Sequence, residues 1–339
     1  MNTTVKTFGK TKSGKQAQLY IIEDGCGLSA ALTDYGATVV SLCFKDKNGR
    51  TRDLVRGYDD VSGFEESGSF FGACVGRCAN RIKGAEFSIG DKTYKLVKND
   101  GENNLHSGPD YYNKRFWETA ETGNNFVTFR LVSPDLDQGF PGNMEARVTY
   151  RTVNNRFEIS YEAVSDKDTV INFTNHSFFN LNGHDAGTIF SHVVTLKANE
   201  YTESTPDLIP TGKLLPVEGT CYDFTKGRRL GDALENGTIG LYDNNFCLTT
   251  GEDGLAGSVF APESGICMQI YTDLPGMQIY TPPMNQGKGK GGADYEAYGA
   301  VCFESQYYPD AVHQPDFAGP VFRAGEVYST KTVYSFSNK

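Results

Sequence analysis

Segments in which apolar and polar residues alternate are the strongest structural signal in this sequence. Residues 148–152 alternate in this way, Asn154-Asn155 supplies turn residues, and residues 157–161 resume the alternation. A period of two places one set of side chains on each face of a strand, and two turn-forming residues between such runs predict a β-hairpin. A second, shorter hairpin is predicted for residues 87–96, with its turn at Gly90-Asp91.

Further strands are predicted at residues 127–131, 268–272 and 277–281. No window of 12 or more residues shows a helical apolar face, and residues 230–234 predict only one short helical turn. Many short strands separated by turn signals predict an all-β fold, an antiparallel sandwich or barrel. Because no linker or break in composition interrupts the pattern, residues 1–339 are expected to form a single domain.

Composition limits the classes of partner. The 42 acidic and 32 basic side chains give a net charge of -10. Such a surface repels both a phosphate backbone and an anionic membrane, so neither nucleic acid nor a membrane is expected as a partner. The N-terminus has no apolar signal-peptide region, and no apolar stretch approaches the ~18 residues of a membrane helix, which predicts a cytoplasmic protein.

Two sequence features invite a cofactor or metal interpretation. The eight cysteines follow no metal-binding or disulfide spacing, so buried free thiols are expected. The glycine- and lysine-rich stretch 285–292 lacks the preceding strand, the following helix and the spacing of a phosphate-binding loop. It is predicted to be a mobile surface loop, and no bound cofactor or metal is expected.

Histidine is scarce, with five in the chain, and two lie in unusual surroundings. His176 lies in the polar and aromatic stretch 172–181, where side-chain amides and hydroxyls could fix the tautomer of an imidazole. His106 lies in a loop-like context that exposes its ring. Taken alone, each histidine is more simply explained as a hydrogen-bonded structural residue.

Acidic and basic residues offer further candidates. Glu304 follows an apolar run, so partial desolvation could raise its pKa toward that of a base working near neutrality. A strand-edge glutamate facing water is an equally good interpretation. Asp243 is typical of a turn aspartate. Arg77, Asn80 and Arg81 lie close together and carry planar donors suited to vicinal hydroxyls or anions, although a solvated basic turn would have the same pattern.

Six blocks, in order along nearly the whole chain, resemble the motifs of the galactose mutarotase (aldose 1-epimerase) family. Residues 76–82 read Gly-Arg-Cys-Ala-Asn-Arg-Ile, and residues 105–108 are similar to Leu-His-Gly-Gly with Ser107 in place of a glycine. Residues 175–181 resemble the family's Asn-His block, and residues 243–246 have Asn244 where the family often has histidine. Residues 275–280 and 304–311 complete the set with Pro-Gly-x-Gln-x-Tyr and Glu-x-Gln…Pro-Asp-Ala.

The resemblance implies a β-supersandwich, cytoplasmic hexose metabolism, no cofactor, and an aldose as the small-molecule substrate of a monomer or weak homodimer. It implies that His176 is the general acid and Glu304 the general base. The sugar hydroxyls would be held by five residues: Asn80, Arg81, His106, Asp243 and Gln278. Arg77 would lie just behind these five. Asn244 puts in doubt only the fine positioning of Asp243.

Interconversion of α and β anomers needs one proton delivered to the ring oxygen and one removed from the anomeric hydroxyl. Opposite charges across a small cleft are expected to keep His176 protonated and Glu304 ionised. Two alternatives stay open. A glycoside hydrolase would recruit Glu304 with Asp243 as its two carboxylates, and a non-catalytic sugar-binding protein could use the same fold.

Overall fold

Antiparallel strands make up most of the regular structure in a computed structural model, which describes residues 3–339. In chain order the strands are β1 Thr4–Lys10, β2 Gln16–Glu23, β3 Ser29–Thr33, β4 Thr38–Lys45, β5 Thr51–Asp53, β6 Ala73–Val75, β7 Arg81–Ile82, β8 Glu86–Ile89, β9 Lys92–Lys95, β10 Asn104–Leu105, β11 Glu118–Thr122, β12 Phe126–Ser133, β13 Met144–Val153, β14 Arg156–Ser165, β15 Thr169–Val170, β16 Thr174–His176, β17 Phe178–Phe179, β18 Val193–Leu196, β19 Ala198–Ser204, β20 Pro210–Pro216, β21 Arg228–Arg229, β22 Asp243–Leu248, β23 Leu255–Ala261, β24 Ile266–Thr272, β25 Gly276–Tyr280, β26 Val301–Gln306, β27 Val321–Phe322 and β28 Val327–Asn338.

The helices are short. They are α1 Val61–Glu66, α2 Gly231–Leu234 and single 3-10 turns at Lys83–Ala85, Tyr112–Lys114, Asp137–Gly139, Lys290–Gly292 and Ala311–His313. The turn predicted at residues 230–234 is confirmed by α2. Helix α1 was not predicted: it buries only Val61 and Phe64, three residues apart, and its N-cap Asp60 accepts from the N–H of Ser62. A six-residue helix is too short for its apolar spacing to stand out.

Two large antiparallel sheets and a smaller one carry the fold. The nine-stranded sheet has the order β11-β12-β13-β14-β28-β24-β23-β18-β21, the six-stranded sheet β17-β26-β25-β22-β19-β20, and the five-stranded sheet β1-β2-β3-β4-β5. The predicted all-β, antiparallel sandwich class is confirmed. Along β13 and β14 burial alternates residue by residue, because one face packs into the core and the other meets solvent.

Both predicted hairpins are confirmed. Val153 pairs with Arg156, and Asn154 and Asn155 between them have φ values of 50° and 59°. Asparagine tolerates this left-handed conformation, which a two-residue turn needs to match the twist of its strands. In the second hairpin Ile89 pairs with Lys92 across the turn at Gly90-Asp91.

Strand β26 is buried along its whole length. Phe303 packs into the main core, and its carbonyl oxygen accepts a hydrogen bond of 3.0 Å from the hydroxyl of Tyr334. The neighbouring side chains, Cys302 and Glu304, lie on the other face of the strand because successive side chains alternate. Glu304 is therefore not a strand-edge glutamate facing water, since only 2% of it is exposed.

The glycine- and lysine-rich stretch 285–292 differs from the predicted surface loop. The ammonium group of Lys290 is buried and donates to the carbonyl oxygens of Val40 and Val55 and to the carboxylate of Asp53. These contacts anchor one end of the stretch against β4 and β5. The sequence did not indicate this anchor, because a single lysine within a glycine-rich stretch makes all of these contacts.

Five of the eight cysteines are buried free thiols, as expected, whereas Cys26 is exposed and Cys43 and Cys221 are partly buried. No helix in residues 3–339 has both the length and the apolar character needed to cross a bilayer.

Candidate active site

A cavity of about 350 Å³ opens where the six-stranded sheet meets the loops around β7 and β10. Seven of the eight residues that the resemblance assigns to the site line this cavity: Asn80, Arg81, His106, His176, Asp243, Gln278 and Glu304. They come from six separate parts of the chain, and the fold brings them together.

The register of the six-stranded sheet places three of these residues. Gln278 on β25 is directly opposite Glu304 on β26, and Asp243 on β22 is opposite Tyr280, two residues further along β25. Residues two apart on a strand share a face, and directly opposed residues do so as well. All four side chains therefore project from the same face of the sheet into the cavity.

His176 ends the short strand β16, which pairs with β6. Its ring lies between Phe70 and Phe178, with centroid distances of 5.7 and 5.0 Å and interplanar angles of 25° and 20°. Nε2 of His176 lies 3.5 Å from Oε1 of Glu304, whose Oε2 has no hydrogen-bond partner among the described residues. The two aromatic rings fix the plane of the imidazole and leave its edge directed at the carboxyl group.

His106 and Asn80 hold each other in place. The N–H of Asn80 donates to Nδ1 of His106 over 3.1 Å, and the N–H of His106 donates to the carbonyl oxygen of Asn80 over 2.9 Å. Ser107 has a φ of 56°, a conformation that favours glycine and agrees with the glycine of the family motif. Its hydroxyl bonds both the N–H and the carbonyl oxygen of Cys78, which compensates for the strained backbone.

Ion pairs and hydrogen bonds orient the remaining polar residues. Nε of Arg81 donates to Asp100 over 2.7 Å, and Nε2 of Gln278 donates to Oδ1 of Asp243 over 2.6 Å. The side chain of Asn244 lies on the opposite face of β22 from that of Asp243, because successive side chains alternate. The structure thus keeps Asp243 in the cavity with asparagine at position 244.

Arg77 does not reach the cavity. Its side chain is 1% exposed, and its guanidinium group donates to the carbonyl oxygens of Pro141 and Gly142 and to the hydroxyl of Ser133. These partners occupy both terminal nitrogens, Nη1 and Nη2, so Arg77 braces the loop before β13 instead. Of the two arginines in this motif, only Arg81 lines the cavity.

Burial dominates the protonation of the central pair. It raises the pKa of Glu304 well above its usual value, with the charge of Asp243 adding to the effect and that of Arg81 opposing it. Burial also lowers the pKa of His176 to about 4. The expectation that mutual attraction would hold His176 charged and Glu304 ionised is therefore wrong, because desolvation outweighs the attraction.

His106, His176 and Glu304 have donor atoms within 4.8 Å of one another, a spacing compatible with a metal ion. The hydrogen bond from the N–H of Asn80 argues against such a site. A nitrogen that accepts a hydrogen bond carries no proton, so the proton of a neutral His106 is on Nε2, where it leaves no lone pair for a metal. Histidines that bind metals normally donate, rather than accept, through their other nitrogen. His106 is therefore suited to donate a hydrogen bond into the cavity.

Nine further residues line the cavity without having been predicted there, among them Phe70, Phe178, Tyr280 and Gln286. Phe178 and Tyr280 belong to the recognised motifs, and their alternation with His176 and Gln278 could have indicated them. Gln286 accepts a hydrogen bond of 2.6 Å from the buried guanidinium of Arg56. The glycine-rich sequence around Gln286 did not indicate this contact. Phe70 has no sequence signal.

The chain is similar to known proteins over nearly its whole length. The family model described as aldose 1-epimerase matches residues 18–335. A galactose mutarotase from Mus musculus is 39% identical over 340 residues, with 99% of each chain covered. An aldose 1-epimerase from Escherichia coli K12 is 32% identical over 333 residues, which cover 95% of this chain and 96% of the relative.

Solved structures share the fold. The crystal structure of an aldose epimerase homologue from C. elegans superposes with a TM-score of 0.90 at 31% identity, covering 95% of this chain and 99% of that one. A galactose 1-epimerase from Lactobacillus acidophilus has a TM-score of 0.85 at 23% identity, with coverage of 100% and 99%, and supports the fold alone. On the family match and these full-length relatives, the chain belongs to the aldose 1-epimerase family of isomerases.

Proposed function

We propose that this protein interconverts the α and β anomers of free hexoses such as galactose and glucose, with His176 and Glu304 as its acid–base pair. The observation that carries the proposal is the 3.5 Å approach of Nε2 of His176 to Oε1 of Glu304 on the cavity wall. A pair of this kind can give one proton while it takes another, and that exchange is the whole chemistry of ring opening.

The reaction follows from proton transfer alone. Glu304 takes the proton from the anomeric hydroxyl while His176 delivers a proton to the ring oxygen, and the C1–O5 bond breaks to give the open-chain aldehyde. Rotation about C1–C2 then presents the other face of the carbonyl group. The same pair, with roles reversed, closes the ring to the opposite anomer and returns each proton to its starting side.

The polar wall is suited to hold the sugar in this position. Arg81, His106 and Asn80 can donate to hydroxyl oxygens, whereas Asp243 and the unpartnered Oε1 of Gln278 can accept from hydroxyl groups. Phe70 and Tyr280 add apolar surface for the C–H faces of the ring. We propose these five polar residues as the binding set, without Arg77.

The remaining properties belong to the same proposal. Residues 1–339 would form a single domain that works in the cytoplasm as a monomer or weak homodimer, without a cofactor or metal. Its partners would be small aldoses, and neither nucleic acid nor a membrane. The net charge of -10 supports the exclusion of both polyanionic partners.

The proposal is tested by exchange NMR on an equilibrated sugar. Adding the protein to glucose or galactose should transfer magnetisation between the α and β anomeric signals without producing a new compound. Absence of exchange for glucose, galactose, xylose and arabinose would reject the proposal in favour of a sugar-binding protein. Release of nitrophenol from a nitrophenyl glycoside would instead indicate a glycoside hydrolase that uses Glu304 with Asp243.

A further inference from the structure

One strand contacts both nitrogens of the His176 ring. Sγ of Cys302 lies 3.5 Å from Nδ1, and Oε1 of Glu304 lies 3.5 Å from Nε2. The two residues are two positions apart on β26, so their side chains share a face of the strand. Nothing in the proposed proton transfers uses the thiol, yet it contacts the ring atom on the far side from the carboxyl group.

The thiol at this position keeps its proton. Cys302 is a free cysteine with 0% exposure, and burial raises its pKa well above the usual value, with the charges of Glu304 and Asp243 adding to the effect. A protonated thiol can donate its S–H weakly, and its sulfur can accept weakly. Cys302 can therefore serve Nδ1 in either protonation state of the imidazole.

We propose that Cys302 is a positioning residue for His176: its S–H donates to Nδ1 of the neutral ring and so keeps the ring proton on Nε2, facing Glu304. When the ring takes up a second proton, Nδ1–H donates to the sulfur instead. The inference rests on the proposed function, because it concerns the residue that we propose as the acid.

The packing of the ring explains why this contact decides its orientation. Phe70 and Phe178 cover the two faces of the imidazole and prevent it from tilting. They do not distinguish one ring nitrogen from the other, because an aromatic face offers neither a strong donor nor a strong acceptor. Only contacts in the plane of the ring, at Nδ1 and Nε2, can select the tautomer.

Nitrogen NMR on the sugar-free protein tests the contact directly. With five histidines in the chain, ¹⁵N-histidine labelling gives a spectrum in which His176 is assigned by its loss in His176→Asn. The wild type should show the Nε2–H tautomer at position 176. Cys302→Ala and Cys302→Val, which remove the sulfur contact to Nδ1, should shift that signal toward a mixture, and Cys302→Ser should restore it.

Kinetics supply the second measurement. Both apolar variants should lower kcat about five- to tenfold with KM within about twofold, because orientation rather than binding is lost. Cys302→Ser should keep at least half of the wild-type kcat. The pH profile of kcat should change in the two apolar variants but not in Cys302→Ser. The other titratable groups that face the ring are unaltered in all three variants; these groups are His106, Glu304 and Tyr280.

Cys267→Ala is the matched control, because Cys267 is an equally buried free thiol on β24, in the nine-stranded sheet. It should leave kcat and the His176 signals unchanged. An unchanged tautomer and kcat in both apolar variants would overturn the inference, and so would a serine variant as impaired as the valine variant. A wild type without mutarotase activity would reject the proposed function, whereas the tautomer measurement would still decide the role of Cys302.

Discussion

Nε2 of His176 and Oε1 of Glu304 lie 3.5 Å apart, and their side chains are only 8% and 2% exposed. Desolvation raises the pKa of the carboxyl group and lowers that of the imidazole to about 4, so a proton shared by the pair resides on Glu304 rather than on His176. A sugar that donates hydrogen bonds to Glu304 and accepts from His176 would favour the charged form of each.

His176→Asn should lower kcat by at least ~10²-fold with a modest change in KM, because asparagine cannot deliver a proton to the ring oxygen. His192→Asn is the matched control: this ring is as buried as that of His176, but its Nε2 accepts from the N–H of Leu181 in the core. The control should lower stability and leave the kcat of the folded protein near normal. Steady-state kinetics that show near-normal kcat in His176→Asn would refute the assignment.

Glu304→Gln should lower kcat to a similar extent and raise the melting temperature. The amide removes a buried, desolvated carboxyl group with an unpartnered oxygen, and a gain of about 1 kcal/mol corresponds to roughly 1–3 °C for a chain of this size. Calorimetry at pH 8 measures the shift, with the exposed Glu200→Gln as control. A purely structural glutamate would give the opposite result, a lower melting temperature with retained kcat.

The active form of the pair carries one titratable proton, and the pKa shifts place this proton on Glu304 rather than on His176. The alkaline limb of kcat/KM, where the pair loses this proton, therefore follows the pKa of Glu304. It should move in opposite directions when the two charges near Glu304 are removed. Asp243 raises the pKa of Glu304, so Asp243→Asn favours the ionised form and should move the limb to lower pH. Arg81 lowers that pKa, so Arg81→Met should move the limb to higher pH. Both variants also bind sugar less tightly, but this changes the height of the profile and not the position of its limb. Shifts of the same sign would contradict the electrostatic account.

Lys290→Met should destabilise the protein by about 3–5 kcal/mol, because it leaves the carboxylate of Asp53 and two buried carbonyl oxygens without their partner. Lys288→Met, two residues away and exposed, should stay within about 0.5 kcal/mol of the wild type. Urea unfolding measures both. Equal effects would mean that the anchoring of this stretch contributes nothing to stability.

Local patterns were sufficient to predict the two hairpins and three further strands, but not the strands β1–β5 of the five-stranded sheet. The Asn154-Asn155 turn and the alternation on either side of it contain all the information that a two-residue hairpin needs. Helix α1 was missed because its stability comes from Asp60 at its N-cap and two buried side chains, not from a periodic face. The burial of Lys290 depends on acceptors more than 200 residues away in sequence, which no local pattern could indicate.

The members of the site were predictable, and their electrostatics were not. Residues within motifs, such as Gln278 and Asp243, line the cavity as expected because cross-strand register places them together. The sequence could not show that Arg77 is turned toward Ser133 and Pro141, since both arginines of the motif look alike. Nor could it show how completely Glu304 is buried, and burial decides the direction of its pKa shift.

The central claim is tested most directly by polarimetry of freshly dissolved α-galactose or α-glucose at neutral pH. The account predicts that the wild-type protein hastens the drift of optical rotation to the same final value that the sugar reaches alone, while His176→Asn and Glu304→Gln leave the spontaneous rate nearly unchanged. A wild-type trace that follows the spontaneous rate, or one that ends at a different rotation because a new product forms, would contradict it.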